Sequence, residues 1–138
     1  MANLLQLEIV TPEKLEISAE VDELTAPGIE GEFGVLAGHT PFMTLLAIGE
    51  LLYKKGEKTV YYAVSSGFVE VLNDKVKVLA ETVEEASQID IERAEKAKQR
   101  AEEKLKQLSS EDKNFVVFEA ALKRAILRLQ VAARTKEK

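Results

Sequence analysis

The stretch "KTVYYAVSSGFVEVLNDKVKVLAE", residues 58–81, alternates apolar and polar residues with a period of two. Successive side chains of a β-strand point to opposite faces, so this period predicts strands with one face in a core. The apolar positions are Val60, Tyr62 and Val64, then Val69 and Val71, and finally Val76, Val78 and Ala80. Ser66-Gly67 and Asn73-Asp74 interrupt the pattern, and both pairs are predicted to be turns.

The residues before this stretch also predict short strands. "LLQLEIV", "LEISAEV" and "DELTAP" are three strand candidates, and "KKGEK" at residues 54–58 is typical of a hairpin turn. No helical pattern interrupts them before residue 85. Closely spaced short strands of this kind favour a small antiparallel β-sandwich or flattened barrel over residues 1–85.

After Ala80 the apolar period changes from two to three and four. Ser87, followed three residues later by Asp90, resembles a capping box, which predicts a helix from near Ile89 to about Leu108. "SSEDKN" is a polar break, and a second amphipathic helix follows. The two predicted seams are Ala94, Ala97, Ala101, Leu105 and Leu108 on the first helix, and Phe115, Phe118, Leu122, Ala125, Leu129 and Ala132 on the second.

Two such helices predict an antiparallel hairpin over residues 86–138, and hence an α+β chain with two domains. The first seam is mostly alanine, which buries little area, so each helical turn should contribute little to pairing. A hairpin with one thin seam is expected to lie near the low-stability end of the molecule. We therefore predict that this domain is mobile.

Charge divides the chain at the same place. Residues 1–85 carry six Lys/Arg against fifteen Asp/Glu, whereas residues 86–138 carry thirteen against nine. The acidic sandwich argues against nucleic-acid binding. The chain has no cysteine and a single histidine, which excludes thiolate chemistry and a His-rich metal site. No apolar run approaches the roughly 18 residues that a membrane span requires, so we expect a soluble protein without membrane insertion.

"GEFGVLAGHTP", residues 31–41, holds three of the seven glycines and the histidine. Glycine tolerates positive φ and close backbone approach, so the stretch is interpreted as a tightly shaped loop. Two interpretations stay open: a plain connection between strands, or a fixed contact surface.

These stretches carry a resemblance to a known family. "GEFGVLAGHTP", "VSSGFVEV", "VKVLAE" and the final helix "ALKRAILRLQVA" occur in the order found in the epsilon subunit of bacterial F-type ATP synthases. The resemblance spans essentially the whole chain. One departure is Ser66, where the family often has a first glycine before Gly67; only Gly67 is expected to need a special backbone conformation.

The resemblance implies a non-catalytic rotor subunit of the central stalk, which couples ion flow to ATP synthesis. In such a protein the sandwich binds the gamma subunit and rests on the ring of c subunits, with Glu32 and His39 near the ring. The hairpin folds against the sandwich or extends along gamma towards the catalytic alpha/beta head, where it restrains ATP hydrolysis. The location implied is peripheral, on the cytoplasmic face of the bacterial plasma membrane.

The resemblance also implies ATP as a regulatory ligand, with no cofactor required. "IDIERA", residues 89–94, matches a motif with which certain bacterial epsilon subunits bind ATP. An aspartate and an arginine one turn apart share a helix face, where the carboxylate can accept from adenine or ribose and the guanidinium can hold phosphate. The residues that match are Glu84, Ile89, Asp90, Arg93, Ala94, Arg100, Arg124 and Arg128.

Plain structural roles stay open for the same residues. Asp90 is an ordinary helix-start residue, Arg93 can pair with nearby glutamates, and Arg124 with Arg128 can meet acids of the first helix. Alternative functions are a free-standing nucleotide-binding sensor and a scaffold that pairs its helices between chains. Capture of gamma favours the stalk subunit, and ATP binding without a large partner favours the sensor. Self-association that rises with concentration favours the scaffold.

Overall fold

The computed structural model describes the backbone of residues 3–136 and the side chains of residues 3–135. Met1, Ala2, Glu137 and Lys138, which the predicted domain ranges include, lie outside the described residues. The chain forms two compact units that divide after Glu85.

The first unit contains eight strands. Their bounds are β1 Leu5–Val10, β2 Leu15–Val21, β3 Glu23–Gly28, β4 Gly31–Leu36, β5 Phe42–Leu46, β6 Gly49–Lys55, β7 Lys58–Leu72 and β8 Lys75–Glu85. The hydrogen-bonded order is β2-β1-β8-β7-β5-β3-β4, with β6 pairing with β3 and β7. Every pair is antiparallel except β1–β8, which is parallel. The predicted β-sandwich followed by two helices is confirmed.

The alternation in residues 58–81 places the core as predicted. Val64, Val69, Val71, Val76 and Val78 are all at most 1% exposed. They pack with Leu5, Leu7, Ile9, Val21, Leu24 and Leu51 into one apolar cluster.

The prediction of a turn at Ser66-Gly67 is wrong, because β7 runs through both residues. Its first half pairs with β6 and its second half with β5, so the strand bends from one layer into the other at this point. Ser66 takes the left-handed conformation, with φ 39°. Gly67 is needed for a different reason from the one expected: a Cβ there would overlap the carbonyl of Leu79 on β8.

The interpretation of residues 31–41 as a single loop is also wrong. Gly31–Leu36 forms β4, an antiparallel partner of β3, and only residues 37–41 connect β4 to β5. The turn at Asn73-Asp74 is confirmed, with both residues at positive φ between the paired Leu72 and Lys75. A two-residue hairpin connection of this handedness matches the twist of the strands that it joins.

The second unit contains a 3₁₀ turn (Ala86–Gln88), helix α1 (Ile91–Gln107), helix α2 (Lys113–Ala132) and a final 3₁₀ turn (Ala133–Lys136). The helices pack against each other, and the first 3₁₀ turn contacts both α2 and the second turn. The start of α1 therefore lies beside the end of α2, as an antiparallel hairpin requires. Every predicted seam residue is buried or half-buried, and Ala94, Ala101, Ala125 and Ala132 are at most 2% exposed.

The N-cap of α1 is Asp90 and not Ser87, the residue that the predicted capping box placed there. Ser87 lies in the 3₁₀ turn, and Asp90 is itself the N-cap of α1, with its carboxylate accepting from the backbone N–H of Arg93 at 3.0 Å. Asp112 caps α2 in the same way, accepting from Asn114 N–H at 2.8 Å. Within the described residues, no helix is long and apolar enough to span a membrane.

Candidate functional site: three contact regions

An apolar row crosses the outer face of the sandwich. Leu45 on β5 pairs with Phe68 on β7, Phe68 pairs with Leu79 on β8, and Leu79 pairs with Val10 on β1. Side chains of directly paired residues stand on the same side of a sheet, so the four form a continuous line. Leu45 is 57% exposed and Phe68 36% exposed.

The row continues to the edge of the sheet. Val10 pairs with Leu15 on β2, which is 54% exposed, through a register shift in the β1–β2 ladder. Exposed apolar side chains that lie side by side mark contact surfaces more often than single ones do. This row was not predicted from the sequence. Phe68 falls between the core positions of β7. A large apolar residue at a position that the alternating pattern does not assign to the core was the signal that could have indicated the row.

A second region is the segment that carries Glu32 and His39. Glu32 is exposed on β4, opposite Pro27. His39 lies in the connection after β4, where its backbone N–H donates to the carbonyl of Leu36 at 3.1 Å. Its ring lies edge-on to that of Phe42, with centroids 5.9 Å apart, and Nδ1 lies 2.7 Å from the carbonyl oxygen of Thr40.

Phe42 connects this loop to β4. Its ring also meets Phe33, the neighbour of Glu32, in an edge-to-face contact at 5.2 Å between centroids. Such aromatic pairs restrict side-chain motion as well as burying area. The aromatic contacts therefore give the segment that carries both predicted residues a defined shape.

The third region is the end of the helical hairpin where α1 begins and α2 finishes. Asp90 and Arg93 are exposed at the start of α1, and Arg124 and Arg128 are half-buried on the second half of α2. Four residues apart on a helix, the two arginines share a face. The hairpin therefore brings these four predicted residues to the same end.

The remaining predicted ATP-site residues divide into three groups. Ile89 and Ala94 are buried, at 8% and 2% exposure, so their side chains contribute packing. Arg100 is exposed on α1, two turns beyond Arg93. Glu84 is half-buried on β8 and belongs to the sandwich unit. Among the described residues, no group of His, Asp or Glu side chains is arranged to hold a metal ion.

Comparison with known families divides the chain at nearly the same residue as the structure. The beta-sandwich domain of the ATP synthase Delta/Epsilon chain matches residues 4–86, and the long alpha-helix domain of the same chain matches residues 87–133. The relatives include the ATP synthase epsilon chains of Geotalea uraniireducens, 56% identical, and Geobacter sulfurreducens, 54% identical, each matched over 100% of both chains.

Solved structures give the same result for the fold. A chain of the mitochondrial ATP synthase of Euglena gracilis, solved with OSCP, F1 and the c-ring, matches with a TM-score of 0.79 and 26% identity, over 98% of this chain and 82% of that one. A chain of the Tetrahymena thermophila central stalk and c-ring shares the fold, with a TM-score of 0.54 and 11% identity, over 95% of both.

A beta-sandwich domain followed by a long alpha-helix domain, both of the ATP synthase type, defines the class of protein. That class is a subunit of the rotary ATP synthase. The chain belongs to the ATP synthase delta/epsilon chain family, as a central-stalk subunit of the epsilon type with a role in ATP synthesis.

Proposed function

We propose that the sandwich is the non-catalytic coupling element of the stalk, which holds the gamma subunit on one face and rests on the c-ring. The observation that carries this proposal is the apolar row Leu45–Phe68–Leu79–Val10 on the outer face. A partner that covers this row would gain about 25 cal/mol of binding free energy for each Å² of apolar area removed from water. The gamma subunit is the partner that the family implies for this unit.

A capture experiment tests the gamma contact. Phe68→Glu places a charge in the middle of the row and should reduce co-purification of gamma at least tenfold, since burial of an unpaired charge is costly. Leu36→Glu is the matched control, because Leu36 is 58% exposed on β4, outside the row. Equal loss of gamma by both variants, or by neither, would refute the assignment of this face.

The contact with the c-ring is assigned to the β4 segment and the loop after it. Glu32 is exposed and acidic, and the aromatic contacts of His39 and Phe42 hold the loop. Glu32→Lys should weaken retention of the head on ring-containing membranes while gamma capture stays at the wild-type level. Unchanged retention would remove Glu32 from the contact. A position on the ring also implies a peripheral location at the membrane surface.

The helical hairpin is the regulatory element of this proposal. The fully or nearly buried residues of its two helices are alanines, apart from Val131, and small residues bury little area. Modest binding energies can therefore shift the hairpin between folded and extended forms. Extended, the hairpin would approach the alpha/beta head and restrain hydrolysis.

ATP is proposed to stabilise the folded form by binding where α1 begins and α2 ends. The supporting observation is that Asp90, Arg93, Arg124 and Arg128 come to this end together. A ligand at a hundredfold excess over its Kd stabilises the bound form by about 2.7 kcal/mol. That amount is enough to invert a nearly balanced equilibrium between two forms.

The ATP test must separate binding from helix capping, because Asp90 performs the cap. Asp90→Asn retains the cap, since asparagine caps helices as well as aspartate does. It removes the charge, so ATP-induced closure, measured by a distance probe between the helices, should require at least tenfold more ATP. Arg128→Ala should do the same, and Asp112→Asn, at the N-cap of α2, is the matched control. A wild-type chain that gives no response at millimolar ATP would refute the sensor role and leave the stalk role intact.

The extended hairpin is proposed to present basic side chains to acidic segments of the head. Arg124→Glu combined with Arg128→Glu should relieve restraint of ATP hydrolysis in the reassembled complex, and Lys113→Glu, at the other end of α2, should not. Equal hydrolysis by the wild type and the double variant would contradict this contact. ATP binding without capture of gamma would instead favour the free-standing sensor.

A further inference from the structure

The loop that carries His39 is tied to a distant part of the sandwich. The carboxylate Oδ1 of Asp74 accepts a hydrogen bond from the backbone N–H of Gly38 at 2.6 Å, across 36 residues of sequence. Hydrogen bonds to an ionised acceptor are shorter and stronger than neutral ones. Asp74 is therefore placed to hold the loop at residues 37–41 against the β7–β8 turn.

Asp74 is held in place from two directions. Its backbone carbonyl accepts from the N–H of Gln6 on β1 at 2.8 Å, and its φ of 61° fixes it in the two-residue turn between Leu72 and Lys75. Aspartate tolerates the left-handed conformation better than most residues do. The side chain therefore projects from a rigid hairpin, and the loop is the more adaptable partner of the bond.

Gly38 is suited to donate this hydrogen bond. Its φ of 86° is accessible to glycine at little cost, and no atom lies within 4 Å of where a Cβ would stand. The conformation exposes the N–H to Asp74 and turns the chain towards His39.

The two loops form one surface. Phe42 pairs with Val71, so the start of β5 stands beside the end of β7. Leu72 and Met43 are exposed there, at 48% and 61%. We propose that Asp74 is a positioning residue for the His39 loop, and that the β7–β8 turn and this loop dock together on the ring subunits. This inference rests on the proposed ring contact of the previous subsection.

Two substitutions at Asp74 separate its role in the loop from its role in the turn. Asp74→Gly accommodates the positive φ and removes the acceptor, whereas Asp74→Asn accommodates φ and keeps a carbonyl oxygen. In the complete subunit, Asp74→Gly should raise the exchange rate of the Gly38 amide at least tenfold. In the reassembled head and stalk, it should weaken binding to ring-containing membranes at least tenfold, without changing gamma capture. Asp74→Asn keeps a neutral and therefore weaker acceptor, so it should retain both properties better than Asp74→Gly does.

A matched control exists at the other end of the sandwich. The Oδ2 atom of Asp22 accepts from the N–H of Gly56 in the β6–β7 turn, also at 2.6 Å. Asp22→Ala should raise the exchange rate of Gly56 and leave membrane binding unchanged.

The outcomes are distinguishable. Wild-type membrane binding by Asp74→Gly would overturn the inference while leaving the ring contact in place. Equal weakening by Asp74→Asn and Asp74→Gly would also overturn it, because an acceptor oxygen at this position would then make no difference. A wild-type complex that does not bind ring-containing membranes would refute the proposed ring contact, and this inference with it.

Discussion

Two glycines of the sandwich differ in how well the surrounding structure would accommodate a Cβ atom. A Cβ on Gly67 would overlap the backbone of Leu79, and β8 would have to move away from β7. Gly34 lies on β4, outside the positive-φ residues, and a Cβ there would meet only the carbonyl of Leu24 at an ordinary 3.9 Å.

We expect Gly67→Ala to destabilise the sandwich by about 1–3 kcal/mol or more, the cost of forced backbone shifts. Gly34→Ala should be neutral or stabilise it by about 0.4–1 kcal/mol, because alanine restricts the unfolded chain. Urea unfolding of the two variants beside the wild type measures both effects. Similar losses at both positions would contradict the assigned roles.

Tyr62 gives the sandwich a dependence on alkaline pH. Its ring stacks on Tyr53 with centroids 6.1 Å apart, and burial, together with the nearby Tyr53 and Glu85, raises the pKa of its hydroxyl well above the usual value. The folded protein therefore keeps this proton where the unfolded chain releases it. Its contribution to stability is complete below the unfolded pKa of about 10 and decreases as the pH rises further.

Tyr62→Phe should remove this contribution, so the variant should lose less stability than the wild type between pH 9 and pH 11. Denaturant unfolding at the two pH values measures the difference, and Tyr61→Phe, on the same strand, is the neighbouring control. Identical losses by the wild type and Tyr62→Phe would show that Tyr62 does not carry the effect.

At the scale of the element, the two helices begin in the same way. Asp90 and Asp112 each accept from a backbone N–H of the first turn. Asp90→Ala and Asp112→Ala should each cost the hairpin about 1 kcal/mol in the absence of nucleotide. Helix melting followed by circular dichroism measures this cost. A much larger effect of Asp90→Ala without ATP would indicate contacts beyond the cap.

The alanine seam predicts a second element-scale effect. Ala101 is 2% exposed on α1, and a larger side chain there would force the helices apart. Ala101→Leu should destabilise the hairpin by about 1–3 kcal/mol. The matched control is Glu102→Leu, which adds the same side chain at an exposed position and should stay within about 0.5 kcal/mol. Helical amide exchange distinguishes them, and a stabilising Ala101→Leu would indicate unfilled space in the seam.

Sequence periodicity predicted the strands and helices well wherever the pattern fits only one type of secondary structure. The alternation of Val69, Val71, Val76 and Val78 identified the core face, and the three-four spacing of the seam identified both helices. The prediction failed at Ser66-Gly67. Small residues are typical of turns, but they also occur where a single strand bends from one sheet layer into the other. It could not place the Asp74–Gly38 bond, since a contact across 36 residues depends on the assembled topology.

The candidate contact residues were predictable to a lesser degree. Asp90, Arg93, Arg124 and Arg128 were identified by resemblance, and their assignment to ATP stays a prediction, as does that of Glu32 and His39 to the ring. The row from Leu45 to Val10 was missed because its members lie on four strands whose pairing, including the parallel β1–β8 pair, no local pattern specifies.

At the scale of the whole molecule, the division after Glu85 predicts an independent sandwich. Its core cluster is formed entirely by residues before Glu85, from Leu5 to Val83. A fragment of residues 1–85 should fold cooperatively and capture gamma as the full chain does, because the apolar row lies within it. Calorimetry and capture check the two properties, and a fragment that does not fold would show that the core depends on the helices.

The two units should also differ in how readily they open. The sandwich buries large side chains such as Leu5, Ile9 and Leu51, whereas the fully or nearly buried residues of the two helices are four alanines and one valine. Opening the hairpin therefore exposes less apolar surface and should require less free energy. In native-state hydrogen exchange, amides in the middle of α1 and α2 should exchange at least tenfold faster than those in the middle of β7 and β8. ATP should narrow that difference in the wild type and not in Arg128→Ala. Equal protection of the two units without nucleotide would mean that the hairpin is as stable as the sandwich, and moderate ligand binding could not then move it.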